Sequence, residues 1–165
     1  MAKGHGKKKS PGKDFEKDFI KSVPDRCDVT RLKDAGGWSD ATNMRFTSNN
    51  PCDFIVYSAP QDEMDTGTLY KLELKSVATK SLPFSNIKEH QLKGLMESQT
   101  KGVMGWFIIN YRQVNETYAV AAHIIDSYIT RDIRKSLPLE YCRKNCLLIK
   151  QSLIRVRWRY DLKWL

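Results

Sequence analysis

The chain has little of what a membrane, a disulfide framework or a nucleotide-binding loop would require. No apolar run approaches the roughly 20 residues that a membrane-spanning helix needs, so none of its 165 residues is read as crossing a bilayer. The opening segment, Met1-Ala2-Lys3-Gly4-His5-Gly6-Lys7-Lys8-Lys9, has no hydrophobic stretch and is not a signal peptide. Cysteines number four, at 27, 52, 142 and 146. Cys142 and Cys146 stand four apart, but no C-x-x-C and no paired histidines accompany them. A structural zinc site needs about four converging ligands, so reduced thiols in a cytosolic protein are the expectation. Gly102-Val103-Met104-Gly105 fits neither nucleotide fingerprint, and no internal repeat is found. Acidic residues are also in the minority. Nineteen Asp and Glu against 28 Lys and Arg leave a net charge of +9 and a pI near 9.4. That charge suits nucleic acid; an anionic membrane surface would need an amphipathic basic helix, which is missing.

What is present centres on Asp53 and on Glu73-Leu74-Lys75. Phe54-Ile55-Val56-Tyr57-Ser58 is a short β-favouring run. Leu69 to Lys75 alternates apolar and polar with a period of two, the pattern of a half-buried strand. Between them, Ala59 to Gly67 is loop chemistry rich in Pro, Gly and acidic residues. A hairpin over 53–58 and 69–77 with its midpoint near Glu63 sets Asp53 opposite Glu73. Residues two apart on a strand share a face, so Glu73 and Lys75 project together. Hard carboxylate oxygens hold Mg²⁺ or Mn²⁺, which polarises a phosphate and acidifies water, and a neighbouring lysine orients or deprotonates that water. The alternative reading is an exposed charged face on an ordinary strand.

Along the rest of the chain, residues 1–10 form a flexible Gly/Lys tail and 11–165 a single domain. Ser10-Pro11 starts a helix with Phe15, Phe19 and Val23 on one stripe, ended by Pro24. Glu16 sits beside that stripe. A second helix is expected from Ser85 or Asn86, with Asn86 and Glu89 as a capping box. Gln91 then lies in an apolar stripe with Ile87, Leu92 and Leu95, so its amide must find a polar partner such as backbone or the Asp53 and Glu73 carboxylates. His90 lies off the stripe and is not read as a ligand. Val103 to Tyr111 reads as a strand buried on both faces, and Glu116 to Ile125 as the next strand across Gln113-Val114-Asn115. Asp126 is expected to cap a helix with Ile129, Ile133 and Leu137 on its apolar side, ended by Pro138. From Lys150 onward, Arg155, Arg157, Arg159 and Lys163 interleave with Trp158, Tyr160 and Trp164. This is either a grip on phosphate and bases or a last strand with a solvated basic face.

Four pieces of the chain carry a family resemblance. They are Gly12-Lys13-Asp14-Phe15-Glu16, Pro51-Cys52-Asp53-Phe54, Leu72-Glu73-Leu74-Lys75, and Leu82-Pro83-Phe84-Ser85-Asn86-Ile87-Lys88-Glu89-His90-Gln91 followed by Gly102 to Ile109. In order and spacing, from about residue 12 to residue 120, they resemble the RecU-like Holliday junction resolvases of the PD-(D/E)XK nuclease superfamily. The resemblance implies that Asp53, Glu73 and Lys75 are catalytic, with Glu16 and Gln91 completing the site. Bacterial members carry a long stalk ahead of the catalytic Asp; here that region, Arg31 to Asn50, is too short for a full stalk, which leans toward a phage-encoded relative.

The expected fold is therefore α/β: one domain with a central mixed sheet flanked by helices, the restriction-endonuclease-like core. The expected function is a Holliday junction resolvase, a Mg²⁺- or Mn²⁺-dependent endonuclease acting in the cytoplasm on branched DNA, chiefly four-way junctions. Asp53, Glu73 and Glu16 would hold metal. Lys7, Lys8, Lys9, Lys80, Lys88, Arg157 and Arg159 would meet DNA. A homodimer is implied by the need to cut two strands symmetrically. The alternatives are a related nuclease acting on flaps, ends or duplex, and a non-catalytic DNA-binding protein of the same fold.

Overall fold

The computed structural model describes residues 10–32, 50–132 and 134–165, together with the backbone of 37–38 and 45–46. Lys7, Lys8, Lys9 and Ile133, and most of the segment between Arg31 and Asn50, lie outside the described residues. The elements are α1 (Pro11–Ile20), β1 (Cys27–Arg31), β2 (Gly37–Trp38), β3 (Arg45–Phe46), β4 (Phe54–Ser58), β5 (Thr68–Val77) and β6 (Ser81–Pro83). There follow α2 (Glu89–Gln99), β7 (Met104–Tyr111), β8 (Glu116–Ala121), α3 (Ala122–Thr130) and β9 (Ser136–Pro138). The chain closes with α4 (Leu139–Asn145), β10 (Leu147–Ile149), β11 (Gln151–Ile154) and β12 (Arg157–Tyr160).

Six strands form one mixed sheet in the order β1-β4-β5-β7-β8-β10. The β4–β5 hairpin pairs Phe54 with Leu72 and Ser58 with Thr68, the register that a midpoint at residue 63 requires. β5 and β7 run parallel, Glu73 beside Phe107 and Lys75 beside Ile109. A parallel pair needs a crossover, and α2 lies in that crossover. The architecture is the expected α/β fold with a central mixed sheet.

Period-two alternation divides β5 between two cores. Tyr70, Leu72 and Leu74 join Phe15 and Phe19 of α1 and Tyr160 of β12 on one face. Val77 joins Phe107, Ile109, Leu95 of α2 and Ile125 of α3 on the other. Glu73 and Lys75 therefore project toward the α2 side. Close approach on that side depends on two glycines. A Cβ on Gly105 would stand 2.4 Å from the Leu95 carbonyl oxygen, and one on Gly94 would stand 2.4 Å from Cβ of Pro51. The bare backbone at these points lets α2 settle against the sheet and against the segment that leads into Asp53.

Several expected boundaries move. Helix α1 ends at Ile20, ahead of Pro24, where the Ser22 hydroxyl donates to the Asp18 carbonyl at 2.7 Å. Phe84–Asn86 is a single 3₁₀ turn and α2 begins only at Glu89, so Asn86 and Glu89 do not form the capping box. The Gln91 side chain does that work, accepting from the Lys88 backbone N–H at 3.2 Å. The strand expected to reach Ile125 stops at Ala121, and α3 starts at the next residue. Asp126 is thus inside α3 rather than its cap. Val120 to Ile125 is apolar at both periods, so no turn residue marks the change. Leu137 and Pro138 belong to β9, not to a helix; Leu137 pairs with Leu82 of β6, a partner supplied from far along the chain. The basic C-terminal segment forms the β11–β12 hairpin, with Trp158 opposite Leu153.

Candidate nuclease site

Glu73 is the most deeply buried acid of the molecule's described part, 2% exposed. Its Oε1 accepts from Lys75 Nζ at 2.9 Å and from Gln91 Nε2 at 2.6 Å. The Gln91 amide oxygen in turn accepts from Lys75 Nζ at 3.0 Å. The amide that the apolar stripe left without a partner is thus spent on the two sheet residues and on its own helix N-terminus. Strand β5 fixes Glu73 and Lys75 on one face; α2 fixes Gln91 above them.

Asp53 stands one residue before β4. Its backbone N–H donates to the Leu72 carbonyl at 3.0 Å, and one carboxylate oxygen accepts from the Leu74 backbone N–H at 2.7 Å. It is near enough to Glu73 for its charge to act on that carboxyl. Burial first, and then the Asp53 charge, push the Glu73 carboxyl up to about 7, against the opposing pull of Lys75 and Lys88. The second oxygen of Glu73, Oε2, is buried without a hydrogen-bond partner.

That orphaned oxygen tests whether a divalent cation suits the site. Glu73 Oε2 is buried without a donor, and the Asp53 charge beside it raises the Glu73 carboxyl. Oxygen donors of this kind are what Mg²⁺ and Mn²⁺ take. The residues fit the group at Asp53 and Glu73. Glu16 is engaged by a cation: its carboxylate accepts from Arg31 at 2.6 Å, and Arg31 pairs with Phe54, the residue after Asp53. Among the described residues no three Asp, Glu, His or Cys side chains cluster as a metal-binding group.

Of the residues expected to meet DNA, Lys80 and Lys88 are exposed, on the segments that follow β5 and precede α2. Arg159 is partly buried and donates to the Trp158 carbonyl at 3.1 Å. Arg157 reaches back to α1, to Asp14 at 3.3 Å and Asp18 at 3.4 Å. Trp164 packs against Tyr70 and Trp106 and offers no open face like that of a surface aromatic. His90 is half-buried at the start of α2. All four cysteines are free thiols. Sequence reasoning missed Arg31, whose role depends on β1 lying beside β4, and the backbone N–H of Leu74, which no side-chain pattern announces. Among the described residues no helix is long and apolar enough to cross a membrane.

Comparison with known proteins agrees with this architecture. The Holliday junction resolvase RecU of Streptococcus gordonii is 28% identical over 75 residues, a stretch covering 45% of this chain and 38% of that relative. The match therefore spans well under half of the relative's length. The solved structure of Archaeoglobus fulgidus Hjc, a Holliday junction resolvase from an archaeal hyperthermophile, shares the fold. Its TM-score is 0.50 at 13% identity, covering 82% of this chain and 91% of that one. The family model described as RecU, Recombination protein U, matches residues 41–160, a span that takes in Asp53, Glu73, Lys75 and Gln91 and most of the chain, and so this chain belongs to the Recombination protein U family.

Proposed function

We propose that this protein is a Holliday junction resolvase, a divalent-metal-dependent endonuclease that hydrolyses phosphodiesters in branched DNA. The observation that carries the reading is the Glu73 carboxylate, buried beside Asp53 with one oxygen braced by Lys75 and Gln91 and the other without a partner. Asp53 and Glu73 would hold Mg²⁺ or Mn²⁺, with Glu16 as the further acid; bound there, the cation supplies a Lewis acid for the phosphate and for the attacking water.

The chain's own residues do the rest. Lys75 keeps its ammonium at the mouth of the site, 15% exposed, where it can orient the water and offset charge on the phosphate oxygens. Gln91 bonds both that ammonium and the Glu73 oxygen, so neither swings away when substrate arrives. Lys80, Lys88 and Arg159, with Lys7, Lys8 and Lys9 from the basic tail, would neutralise backbone phosphates outside the centre, which sets affinity without reading sequence.

Cutting two strands of opposite polarity calls for two sites related by a two-fold axis. The homodimer is inferred from that symmetry; Leu153, Ile154 and Val156 near the β11–β12 turn, 57%, 55% and 85% exposed, are apolar surface open to such an interface. The place of action would be the cytoplasm of a bacterial or phage-infected cell. The test is cleavage of labelled four-way junction, flap and linear duplex side by side in Mg²⁺, with light scattering on the same sample. Paired incisions in the junction by a dimer, with duplex a poor substrate, are expected. Equal cutting of all three by a monomer would replace this reading with a general nuclease of the same fold.

A further inference from the structure

The segment that leads into α2 is tied to a cavity away from the carboxylates. Phe84 takes its backbone hydrogen bond from outside its own turn: its N–H donates to the Lys135 carbonyl at 3.0 Å. This joins the P-F-x-N-I-x-x-H-Q stretch to the chain around Arg134. The β6–β9 ribbon adds a hydroxyl pair, Ser81 to Ser136 at 2.6 Å. From Phe84 a run of aromatic rings leads outward. Phe84 meets Tyr128 edge-on with centroids 6.3 Å apart, and Tyr128 meets Tyr141 at 4.9 Å and 76°.

Tyr128 and Tyr141 then line a cavity of about 350 Å³ together with Arg134, Lys144, Asn145 and Glu140. Both rings are partly exposed and both cations are exposed. Arg134 lies close enough to Tyr128 to act on its hydroxyl electrostatically. The one acid on the wall, Glu140, is engaged by Arg143 at 2.7 Å, so the cavity presents aromatic surface and positive charge. Its volume is in the range of sites that enclose a small organic ligand, about 300–1,000 Å³. Aromatic faces beside guanidinium and ammonium groups are the combination that holds single-stranded nucleic acid: rings stack the base and cations meet the phosphate. A paired base cannot present its face to such a wall.

We infer that the cavity of Tyr128, Tyr141, Arg134 and Lys144 receives an unpaired nucleotide of a DNA strand. The inference rests on the nuclease reading for its choice of DNA, and it deepens that reading: the nucleotide would be one released from pairing where the strands of a branched substrate part. Base and phosphate are each met by side chains that the catalytic carboxylates do not touch.

The experiment measures binding in the absence of divalent metal, so that no cutting intervenes. The probes are a fluorescent eight-nucleotide thymidine oligomer and a blunt duplex of two fully complementary strands. Tyr141→Ala should weaken oligomer binding at least about five-fold, the lower end of what one base–aromatic stack is worth, and Tyr141→Phe should restore it. Duplex binding should stay within two-fold in both. Because Tyr141→Ala could disturb α4, the surface variant Arg134→Gln with Lys144→Gln provides a second measure. It should lower the log–log salt slope for the oligomer by up to roughly 1.4, two phosphates at about 0.7 each. Unchanged oligomer affinity in all variants, or equal losses on oligomer and duplex, would overturn the proposal. Junction cutting by the unaltered protein is scored in Mg²⁺ beside these assays. Its absence, with variant-sensitive oligomer binding, would remove the resolvase reading and leave the nucleotide cavity standing.

Discussion

Two carboxylates are buried to the same depth on opposite faces of the sheet, and they are treated differently. Asp18 on α1 is 4% exposed and Glu73 on β5 is 2% exposed. Asp18 has partners at both oxygens: Arg157 at 3.4 Å on one and the Trp158 backbone N–H at 3.1 Å on the other. Glu73 has two donors on one oxygen and none on the other. Asp18 faces an Arg and a backbone amide. Glu73 faces Asp53, a second acid. Burial by itself therefore does not distinguish an acid that holds the fold together from one that waits for a ligand. Incomplete satisfaction beside a like charge does, because folding alone gives no reason to keep it.

The sharpest way to break this contrast is at Glu73 itself. Glu73→Gln should lower junction cleavage at least about 100-fold, with junction binding within a few-fold, since peripheral phosphate contacts carry most of the affinity. Lys75→Ala should also lose turnover rather than affinity, because the work proposed for its ammonium lies in the transition state. Single-turnover cleavage and gel-shift titrations on the same preparations separate the two quantities. Glu73→Gln protein that cuts at near the unaltered rate would show that the metal is held elsewhere; Lys75→Ala protein that loses binding alone would make Lys75 a phosphate anchor.

A smaller effect follows from the proton on Glu73. Burial and then the Asp53 charge raise its carboxyl from 4.5 to about 7, so the folded state holds this proton more tightly than the unfolded chain does. The resulting stability is fully present below about pH 4.5 and is lost as the pH rises through about 7. At pH 8 the metal-free protein should therefore be less stable than Glu73→Gln by up to about 3 kcal/mol, and the two should converge near pH 4. Mg²⁺ or Mn²⁺ at 100 times its dissociation constant should return about 2.7 kcal/mol to the unaltered protein at pH 8, and far less to the variant. Thermal melts at the two pH values, with and without Mn²⁺, read this directly. Melting curves that differ by the same amount at both pH values would show that the Glu73 charge is already compensated.

How far the sequence disclosed this arrangement depends on the distance between partners. The β4–β5 register was legible because a nine-residue loop of turn-forming residues separates two short β-patterned runs, and the pairing of Phe54 with Leu72 has the midpoint at residue 63 that the pattern requires. Gln91 was legible as a lone amide in an apolar stripe. The basic–aromatic alternation near the C-terminus was not decidable, because the groups that fix Arg157 and Trp158 are Asp14 and Asp18, more than 130 residues earlier. The start of α3 was hidden for a different reason: Ala121 passes from extended backbone into helix without a cap side chain, and the neighbouring residues satisfy both periods. Leu137 looked like a helix position until β9 found β6. Local pattern was enough wherever the partner lay within one hairpin or one helix, and it failed where the partner came from across the fold.

Asp18 supplies the converse of the Glu73 experiment. Its carboxylate ties the last turn of α1 to β12, and the Ser22 hydroxyl that donates to the Asp18 carbonyl also accepts from the Tyr160 N–H at 3.0 Å. Asp18→Ala would leave the Trp158 N–H in a part-buried place without its acceptor, while Arg157, 44% exposed, keeps Asp14 as a partner at 3.3 Å. The loss is therefore that of one buried donor and not of a buried charge pair, about 1–3 kcal/mol. A lower urea midpoint with an unchanged slope is expected. Cleavage at a temperature well below the transition should stay within about two-fold, because the Asp53, Glu73, Lys75 and Gln91 network is on the other side of the sheet. The two variants should move in opposite directions: Glu73→Gln inactive and no less stable without metal, Asp18→Ala active and less stable. If Asp18→Ala kept its stability and lost cleavage, the α1–β12 face would be part of the substrate-handling surface, and the distinction between a satisfied and an unsatisfied buried acid would no longer separate structure from function here.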